Sequence, residues 1–447
     1  MMKKGLIAGL VVAMAVAIGV SWWANRQLPA DIAARVDGVD FPVDSVNLFI
    51  DHARRQKPEL TRRQVLDGLI EQHLFAGLEH DDHHHDQGSG RVTYSDDVLI
   101  ENELFRVLRR VYVGEVQRAL KALAADQPTD LFVTPVVTDK AVLAPMLTLQ
   151  PGLYTDMSED QLAAARQLVL TRIKLADGSE RDLTLADVYQ RQNIQLKVQL
   201  HQLNVEFLRQ ASAQVAAALF VINWFETQSG LSAPEVAAVK RMVADKVHAD
   251  NVLHELGMMQ DIHDDNPQLR ELADKVTTAE IEAYYNAHRD QFQRVEKVRA
   301  RHIRVGSQAL ADQVYRELKE GLDFAEAVQR YSEADDKTAA VPGDLGWIGR
   351  DDRNTHWLRS LAFVQPLQQS SAPFRSPGGA SDDVVWEIVF LDEKVMGYQP
   401  VDSEGVRYEA SRAIARERLQ QLVALERDRL WQSANVRYNE KWLNDEQ

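Results

Sequence analysis

The sequence predicts an α+β protein with an N-terminal transmembrane helix, a mostly helical middle and one domain in which helices flank a small antiparallel sheet. Three patterns predict this class. Gly5–Trp23 carries no charge and is about long enough to cross the ~30 Å core of a bilayer. Apolar residues recur at helical spacing through much of 98–247. Val298–Val305 alternates like a half-buried strand, and Val384–Leu391 is a second apolar strand.

Composition narrows the classes of function. A chain of 447 residues holds two or three domains. Its formal charge of −16 disfavours nucleic acid, whose phosphates need a basic surface, and it also disfavours binding to anionic lipid surfaces. The absence of cysteine excludes disulfides, thiolate zinc sites and a lipoprotein anchor.

The N-terminus predicts the location of the chain. Lys3 and Lys4 precede the apolar run, and Trp22 and Trp23 end it where aromatic residues favour the membrane interface. These tryptophans stand where a cleavage site would need small residues. We therefore expect residues 1–28 to be an uncleaved, single-pass anchor in the inner (cytoplasmic) membrane of a two-membrane bacterium, with the bulk of the chain in the periplasm. A cleaved signal peptide is the alternative.

Three short sequence motifs lie on or after the first predicted strand. His302 lies within an Arg-His-Ile run on that strand, Tyr331-Ser332 ends a short helix capped by Asp323, and Gly343–Trp347 reads GDLGW. This strand–helix–helix–turn–helix–strand order resembles the parvulin (PpiC-type rotamase) family of peptidyl-prolyl isomerases. The resemblance implies a parvulin-like domain over 295–395 and no cofactor.

The resemblance also implies site residues. Parvulin-type sites use two histidines, a Cys or Asp between them, and an apolar slot for the proline ring. His302 matches the first histidine, and Glu387 stands where the second is expected. Ala334 occupies the usual Cys or Asp position, so Asp335 is the candidate acid. The candidate substrate-binding residues are Trp347, His356, Trp357 and Phe374.

A second resemblance covers the region after the anchor. Val36-Asp37-Gly38 begins a strand–turn–strand, and Thr61 with Gln64 has the spacing of a capping box that starts an apolar helix. The pattern is similar to the N-terminal chaperone region of the SurA and PpiD families. It implies a chaperone module over 29–90 and a C-terminal helix over 400–447 that packs on the chaperone domain. The spacing of apolar residues between them predicts a helical domain over 91–290.

The middle of the chain has no recognisable motif. We expect one helix from Leu183 to about Phe225 inside a plain helical insertion. Ala176-Asp177-Gly178 also precedes a helix, as Val36-Asp37-Gly38 does, so a duplicated module is the alternative.

Histidines cluster after the second helix, at His80, His83, His84 and His85, with aspartates among them. His and Asp can ligate zinc, copper or nickel. Adjacent ligands on a loop fix no geometry, however, so we expect a solvated loop and no metal site.

Together these patterns predict a membrane-anchored periplasmic peptidyl-prolyl isomerase and chaperone for envelope proteins. Its partners would be unfolded or proline-containing polypeptides. The alternative is a catalytically inactive parvulin-like binding module, or an adaptor for a membrane or metal-handling complex.

Overall fold

The computed structural model describes residues 28–78, 94–149, 156–258, 266–352, 357–377 and 384–445. The chain divides into two compact units, the first formed by Met1–Leu269 with Arg418–Gln447 and the second by Arg270–Glu417. The predicted membrane anchor and the histidine cluster at 80–85 lie outside the described residues.

The strands in chain order are β1 (Ile32–Val36), β2 (Val39–Pro42), β3 (Val169–Lys174), β4 (Glu180–Thr184), β5 (Gln293–Val305), β6 (Asp344–Gly349), β7 (Phe374–Arg375), β8 (Trp386–Tyr398) and β9 (Val436–Tyr438). The helices are α1 (Val43–Arg54), α2 (Arg62–Ala76), α3 (Asp96–Val111), α4 (Val113–Ala122), α5 (Lys140–Leu147), α6 (Glu159–Gln167), α7 (Leu185–Gln190), α8 (Ile194–His201), α9 (Val205–Gln228), α10 (Ala233–Glu255), α11 (Pro267–Asp274), α12 (Thr278–Ala287), α13 (Gln308–Lys319), α14 (Phe324–Tyr331), α15 (Trp357–Val364), α16 (Glu404–Ser433) and α17 (Glu440–Asn444). Single 3-10 turns cover Pro128–Leu131, Arg289–Phe292 and Asp335–Thr338.

The first unit contains a small sheet whose strand order is β2-β1-β9. Asp37 and Gly38 both have positive φ in the tight turn between β1 and β2. Strand β9 pairs antiparallel with β1, with Val436 opposite Val36. Phe41 and Ile70 are buried in one cluster with side chains from 431–443. Segments far apart in the sequence therefore share this core.

Two expectations for the middle of the first unit are wrong. The single helix from Leu183 to Phe225 is divided into the end of β4 and helices α7, α8 and α9. Thr184, Asn193 and Asn204 each accept a backbone hydrogen bond as N-caps, and Leu203 has φ of 55°. Side chains that cap a helix compete with its continuation.

The plain helical insertion is the second wrong expectation. Residues 169–184 form the β3–β4 hairpin, which has Gly178 at positive φ in its turn and is followed by α7. This order of hairpin and helix repeats that of β1, β2 and α1.

Helix α9 has the length and composition of a membrane-spanning helix, and it is the one such candidate among the described residues. Its apolar window is 56% buried inside the protein, and residues such as Phe220 and Phe225 lie in the largest apolar cluster. A core helix passes the same test of length and composition.

The second unit contains an antiparallel sheet of strand order β6-β5-β8-β7. Ile303 and Ile388 belong to a cluster with apolar residues of α13 and α14. Val389, the strand neighbour of Ile388, belongs to another cluster with Ala300 of β5 and Leu358 of α15. Since neighbouring strand residues point to opposite faces, helices cover both faces. The predicted α+β class, with a small antiparallel sheet flanked by helices, is confirmed.

Candidate functional site

His302 lies on the central strand β5, directly opposite Val389 of β8. Val389 belongs to the apolar cluster that includes Leu358 of α15. Paired residues share a face of the sheet, so His302 lies on the α15 face. The residue is 3% exposed, and its imidazole is therefore removed from bulk water.

Two carboxylates bind the two ring nitrogens of His302. The Nδ1 atom lies 2.7 Å from Oε2 of Glu387, and the Nε2 atom lies 2.8 Å from Oδ2 of Asp336. An ionised carboxylate only accepts hydrogen bonds, so both nitrogens donate when both acids are charged. This geometry calls for the doubly protonated, cationic ring.

The electrostatic environment of His302 agrees with that protonation state. Burial alone lowers the pKa of an imidazole because it disfavours the charged form. The hydrogen bond and negative charge of Glu387, together with those of Asp336, outweigh burial and raise the pKa of His302 above its ordinary value.

Glu387 is fully buried, and it is held by a second cation. Arg304 is directly opposite it on β5, and the Arg304 Nε donates to Glu387 Oε1 at 2.7 Å. A buried carboxylate needs such partners because its desolvation is costly. When His302 is protonated, the quartet of His302, Arg304, Glu387 and Asp336 contains two basic and two acidic side chains whose charges can balance.

The segment after α14 brings Asp336 to the histidine. Ser332 is buried, and its hydroxyl accepts hydrogen bonds from the backbone N–H groups of Arg304 and Ala334. The Glu333 N–H donates to the Arg304 carbonyl at 2.8 Å. These contacts attach the start of the segment to β5, just before the 3-10 turn that carries Asp336.

Gly343 attaches the end of the same segment. The His302 N–H donates to the Gly343 carbonyl at 2.9 Å, and the Gly343 N–H donates to the Asp336 carbonyl at 3.2 Å. Gly343 has φ of +73°, and a Cβ there would lie 2.4 Å from the His302 carbonyl oxygen. Glycine is therefore required both by conformation and by space.

The acid that contacts His302 is Asp336, whereas the predicted Asp335 is exposed. The prediction located the acid by its distance in sequence from Ser332 and chose Asp335. Asp335 is the first residue of the 3-10 turn, and the residue that contacts His302 is the second, Asp336. The position of the acid is better located from Gly343, because the backbone of Gly343 is hydrogen-bonded to both His302 and Asp336. The sequence contained that signal in the GDLGW run.

The predicted apolar residues lie on different faces. Phe374 on β7 is opposite Glu387, and Trp357 of α15 packs in the cluster on that face, so both share the face of His302. Trp347 is 43% exposed and alternates with buried Ile348 of the α15 cluster, which places it on the other face. The structure therefore does not bring Trp347 to His302. His356 is outside the described residues.

The fold and the site define a parvulin-type rotamase domain. Residues 276–403 match the family model described as "PPIC-type PPIASE domain". The resemblance drawn from His302 and the GDLGW run is thus confirmed for this part of the chain.

Similar proteins carry folding-factor names. Foldase protein PrsA of Bacillus subtilis (strain 168) is 30% identical over 105 residues, which cover 24% of this chain and 33% of that protein. Chaperone SurA of Methylococcus capsulatus is 44% identical over 69 residues, covering 15% of this chain and 14% of that one. The chain thus spans about a third of the length of the first curated relatives it matches.

Among solved structures, a SurA-like chaperone of Campylobacter jejuni is 10% identical, with 91% of this chain and 98% of that chain covered. Its TM-score of 0.23 is too low to support a conclusion about the fold.

Proposed function

We propose that this protein is a foldase whose second unit catalyses cis–trans isomerisation of X-Pro bonds in unfolded polypeptides. The observation that carries the proposal is the buried His302–Glu387 pair holding Asp336 within a PPIC-type domain. The matched relatives bear the names foldase and chaperone, which supports the same class of function.

Prolyl isomerisation makes and breaks no covalent bond. The enzyme lowers a rotational barrier of ~18–20 kcal/mol that comes from amide resonance, and the unaided reaction takes tens to hundreds of seconds. The planar amide has a negatively polarised oxygen, whereas the twisted amide has lost part of that charge. A fixed negative group near the carbonyl oxygen therefore destabilises the planar state more than the twisted one, which lowers the barrier.

Asp336 is the group that suits this role. Its side chain is 28% exposed, whereas those of His302 and Glu387 are 4% and 0% exposed. Its Oδ1 atom is itself buried and has no hydrogen-bond partner among the described residues, so one oxygen of the carboxylate is not stabilised by a hydrogen bond. We therefore assign Asp336 as the catalytic residue and His302 and Glu387 as positioning residues behind it.

Trp357 and Phe374 would supply the apolar contact for the proline ring. Both are partly buried and lie on the face of the sheet that carries His302, which is why we assign the proline ring to this face. A proline ring forms no hydrogen bonds through its ring carbons, so its binding free energy comes mainly from apolar contact. Aromatic side chains on this face can supply that contact.

The first unit would hold the unfolded client. The sheet that joins β9 to β1 and the helices around it correspond to the region that resembles the SurA and PpiD chaperone modules. Anchoring through residues 1–28, a periplasmic location and a preference for envelope proteins belong to this proposal and rest on the sequence.

A second candidate is a binding module without isomerase activity. One observation favours it: Glu387 replaces the second histidine, and both nitrogens of His302 are occupied by carboxylates. Such a domain would bind extended proline-containing chains without accelerating their isomerisation.

Protease-coupled isomerisation of X-Pro peptides distinguishes the two candidates. We expect the full chain to accelerate the reaction, and His302→Gln to lose about 10-fold or more because Asp336 loses the hydrogen bond to Nε2 that positions it. Trp347→Ala, on the opposite face, should retain the activity of the unmodified chain. Peptide binding without acceleration would support the binding module instead.

A further inference from the structure

Arg304 is the second member of the charged quartet that reaches solvent. Its side chain is 36% exposed, although its Nε donates to the fully buried Glu387. Within the part of the chain that the structure describes, the guanidinium forms one hydrogen bond and ion pair, from Nε to Glu387. Its terminal nitrogens therefore remain available as donors at the surface of the site.

The position of Arg304 is fixed by the sheet. Arg304 lies opposite Glu387, and Glu387 lies opposite Phe374, so the three residues form one row across β5, β8 and β7. Neighbouring strands are ~4.8 Å apart, which places the backbone of Arg304 ~10 Å from that of Phe374. An extended peptide advances ~3.3 Å per residue, so this distance corresponds to about three residues.

We propose that Arg304 selects substrates that carry a carboxylate side chain within about three residues of the isomerised proline. The inference rests on the proposed function in one respect, that the proline lies near Phe374. A guanidinium that already shares Nε with Glu387 can still form charge-assisted hydrogen bonds through its terminal nitrogens. Glu387 holds the guanidinium in place, so little side-chain freedom is lost when the substrate binds.

The charges of the site support a substrate acid at this end of the row. Glu387 is buried and neutralised by His302 and Arg304, so it does not repel an incoming carboxylate as a free acid would. The exposed acid of the quartet is Asp336, which is held by His302 on the Nε2 side of the ring. A basic side chain near Arg304 would meet a fixed positive charge there.

Strand β5 offers a matched control. Arg299 is 33% exposed and pairs with the carboxylate of Asp344 at 3.1 Å, much as Arg304 pairs with Glu387. It lies opposite Trp347 and therefore on the other face. Replacing Arg299 removes the same charge from the same strand without touching the quartet.

The test measures binding selectivity separately from catalysis. Fluorescence anisotropy would measure the affinity of labelled peptides that contain one proline. Each set of three peptides would carry Glu, Gln or Lys at one position, and the sets would cover the three positions on either side of the proline. The full chain should bind the best Glu peptide about fivefold or more tightly than its Lys counterpart, the effect of one exposed charge-assisted contact. Arg304→Met should reduce that ratio to about one, and Arg299→Met should preserve it.

Arg304→Met leaves the buried Glu387 with one hydrogen-bond donor fewer, so this variant could fail to fold. A second variant therefore controls for misfolding. The double variant Arg304→Met with Glu387→His removes the buried carboxylate together with its cation, and it should also lose the Glu preference. Equal binding of Glu and Lys peptides by the unmodified chain, or a ratio retained in either variant, would overturn the proposal. A Glu preference that depends on Arg304 without any acceleration would sustain this inference and reject isomerase activity.

Discussion

The carboxylate of Glu387 lies 2.7 Å from the Nδ1 atom of His302 inside the sheet of the second unit, and both residues are almost fully buried. An acid at this position raises the pKa of the histidine, and because the acid is buried it also needs a cationic partner, Arg304. The consequences can be measured one by one.

Loss of Glu387 should destabilise the second unit. Glu387→Leu replaces the carboxylate with an apolar side chain of similar size, so His302 stays buried without the partner of its Nδ1 atom. Breaking a buried ion pair in this way costs about 3 kcal/mol or more. Hydrogen exchange of β5 amides would report the lower free energy of opening. Glu393→Leu, whose side chain is 56% exposed, should change it by less than about 1 kcal/mol; an equal effect of both variants would contradict the account.

The pH dependence follows from the raised pKa of His302. A histidine whose pKa is higher in the folded than in the unfolded protein stabilises the fold fully below the unfolded value of about 6.5, and this stabilisation is lost as pH rises through the folded value. NMR titration of the ring should therefore give a midpoint above 6.5. The opening free energy of β5 should fall as pH rises above about 6.5, and more so in the unmodified chain than in His302→Gln. Identical pH slopes in the two proteins would rule out the cationic ring.

Gly343 and Gly346 provide a paired test of the segment that holds Asp336. Both have positive φ, but a Cβ on Gly343 would lie 2.4 Å from the His302 carbonyl oxygen, whereas one on Gly346 would have no atom within 4 Å. Gly346→Ala should cost about 1–2 kcal/mol from backbone strain alone. Gly343→Ala should cost more than that and displace Asp336, so its isomerase activity should fall well below that of Gly346→Ala. Similar activities would show that the contact with His302 does not position the acid.

The C-terminal strand should be essential to the first unit. Strand β9 pairs with β1, and apolar residues from 431–443 cover a cluster that contains the fully buried Val36 and Phe41. Removing residues 434–447 exposes that cluster to water, so we expect aggregation or loss of cooperative thermal unfolding of this unit. Removing only 445–447 serves as the control. Unchanged solubility and melting of the longer truncation would disprove this role.

The sequence predicted the parts of the second unit that depend on local pattern. The strand around His302 and the final strand with Glu387 could each be found from alternation. The GDLGW run was predicted as a turn, but only Gly343 lies in the turn and Asp344–Gly349 form strand β6. Asp336 was missed by one residue because the path of a 3-10 turn cannot be counted from one end.

The remaining errors came from contacts that distant residues decide. The face on which Trp347 lies depends on the register between β6 and β5, which no local pattern specifies. Similarly, Thr184, Asn193 and Asn204 look unremarkable within an apolar helical pattern, yet their capping hydrogen bonds divide the predicted helix. Arg304 drew no attention because its partner is 83 residues away in the chain.

The most direct test of the central claim, catalysis by an acid held on a buried histidine, is NMR exchange spectroscopy on a single X-Pro peptide. It measures cis–trans exchange without a coupling protease. Asp336→Asn keeps the shape of the side chain but removes its charge, and Asp335→Asn makes the same change one residue earlier on an exposed side chain. If Asp336 is the catalytic acid, the unmodified chain and Asp335→Asn should accelerate exchange equally, and Asp336→Asn should lose about 10-fold or more of that acceleration. Equal acceleration by all three proteins, or a loss confined to Asp335→Asn, would contradict it.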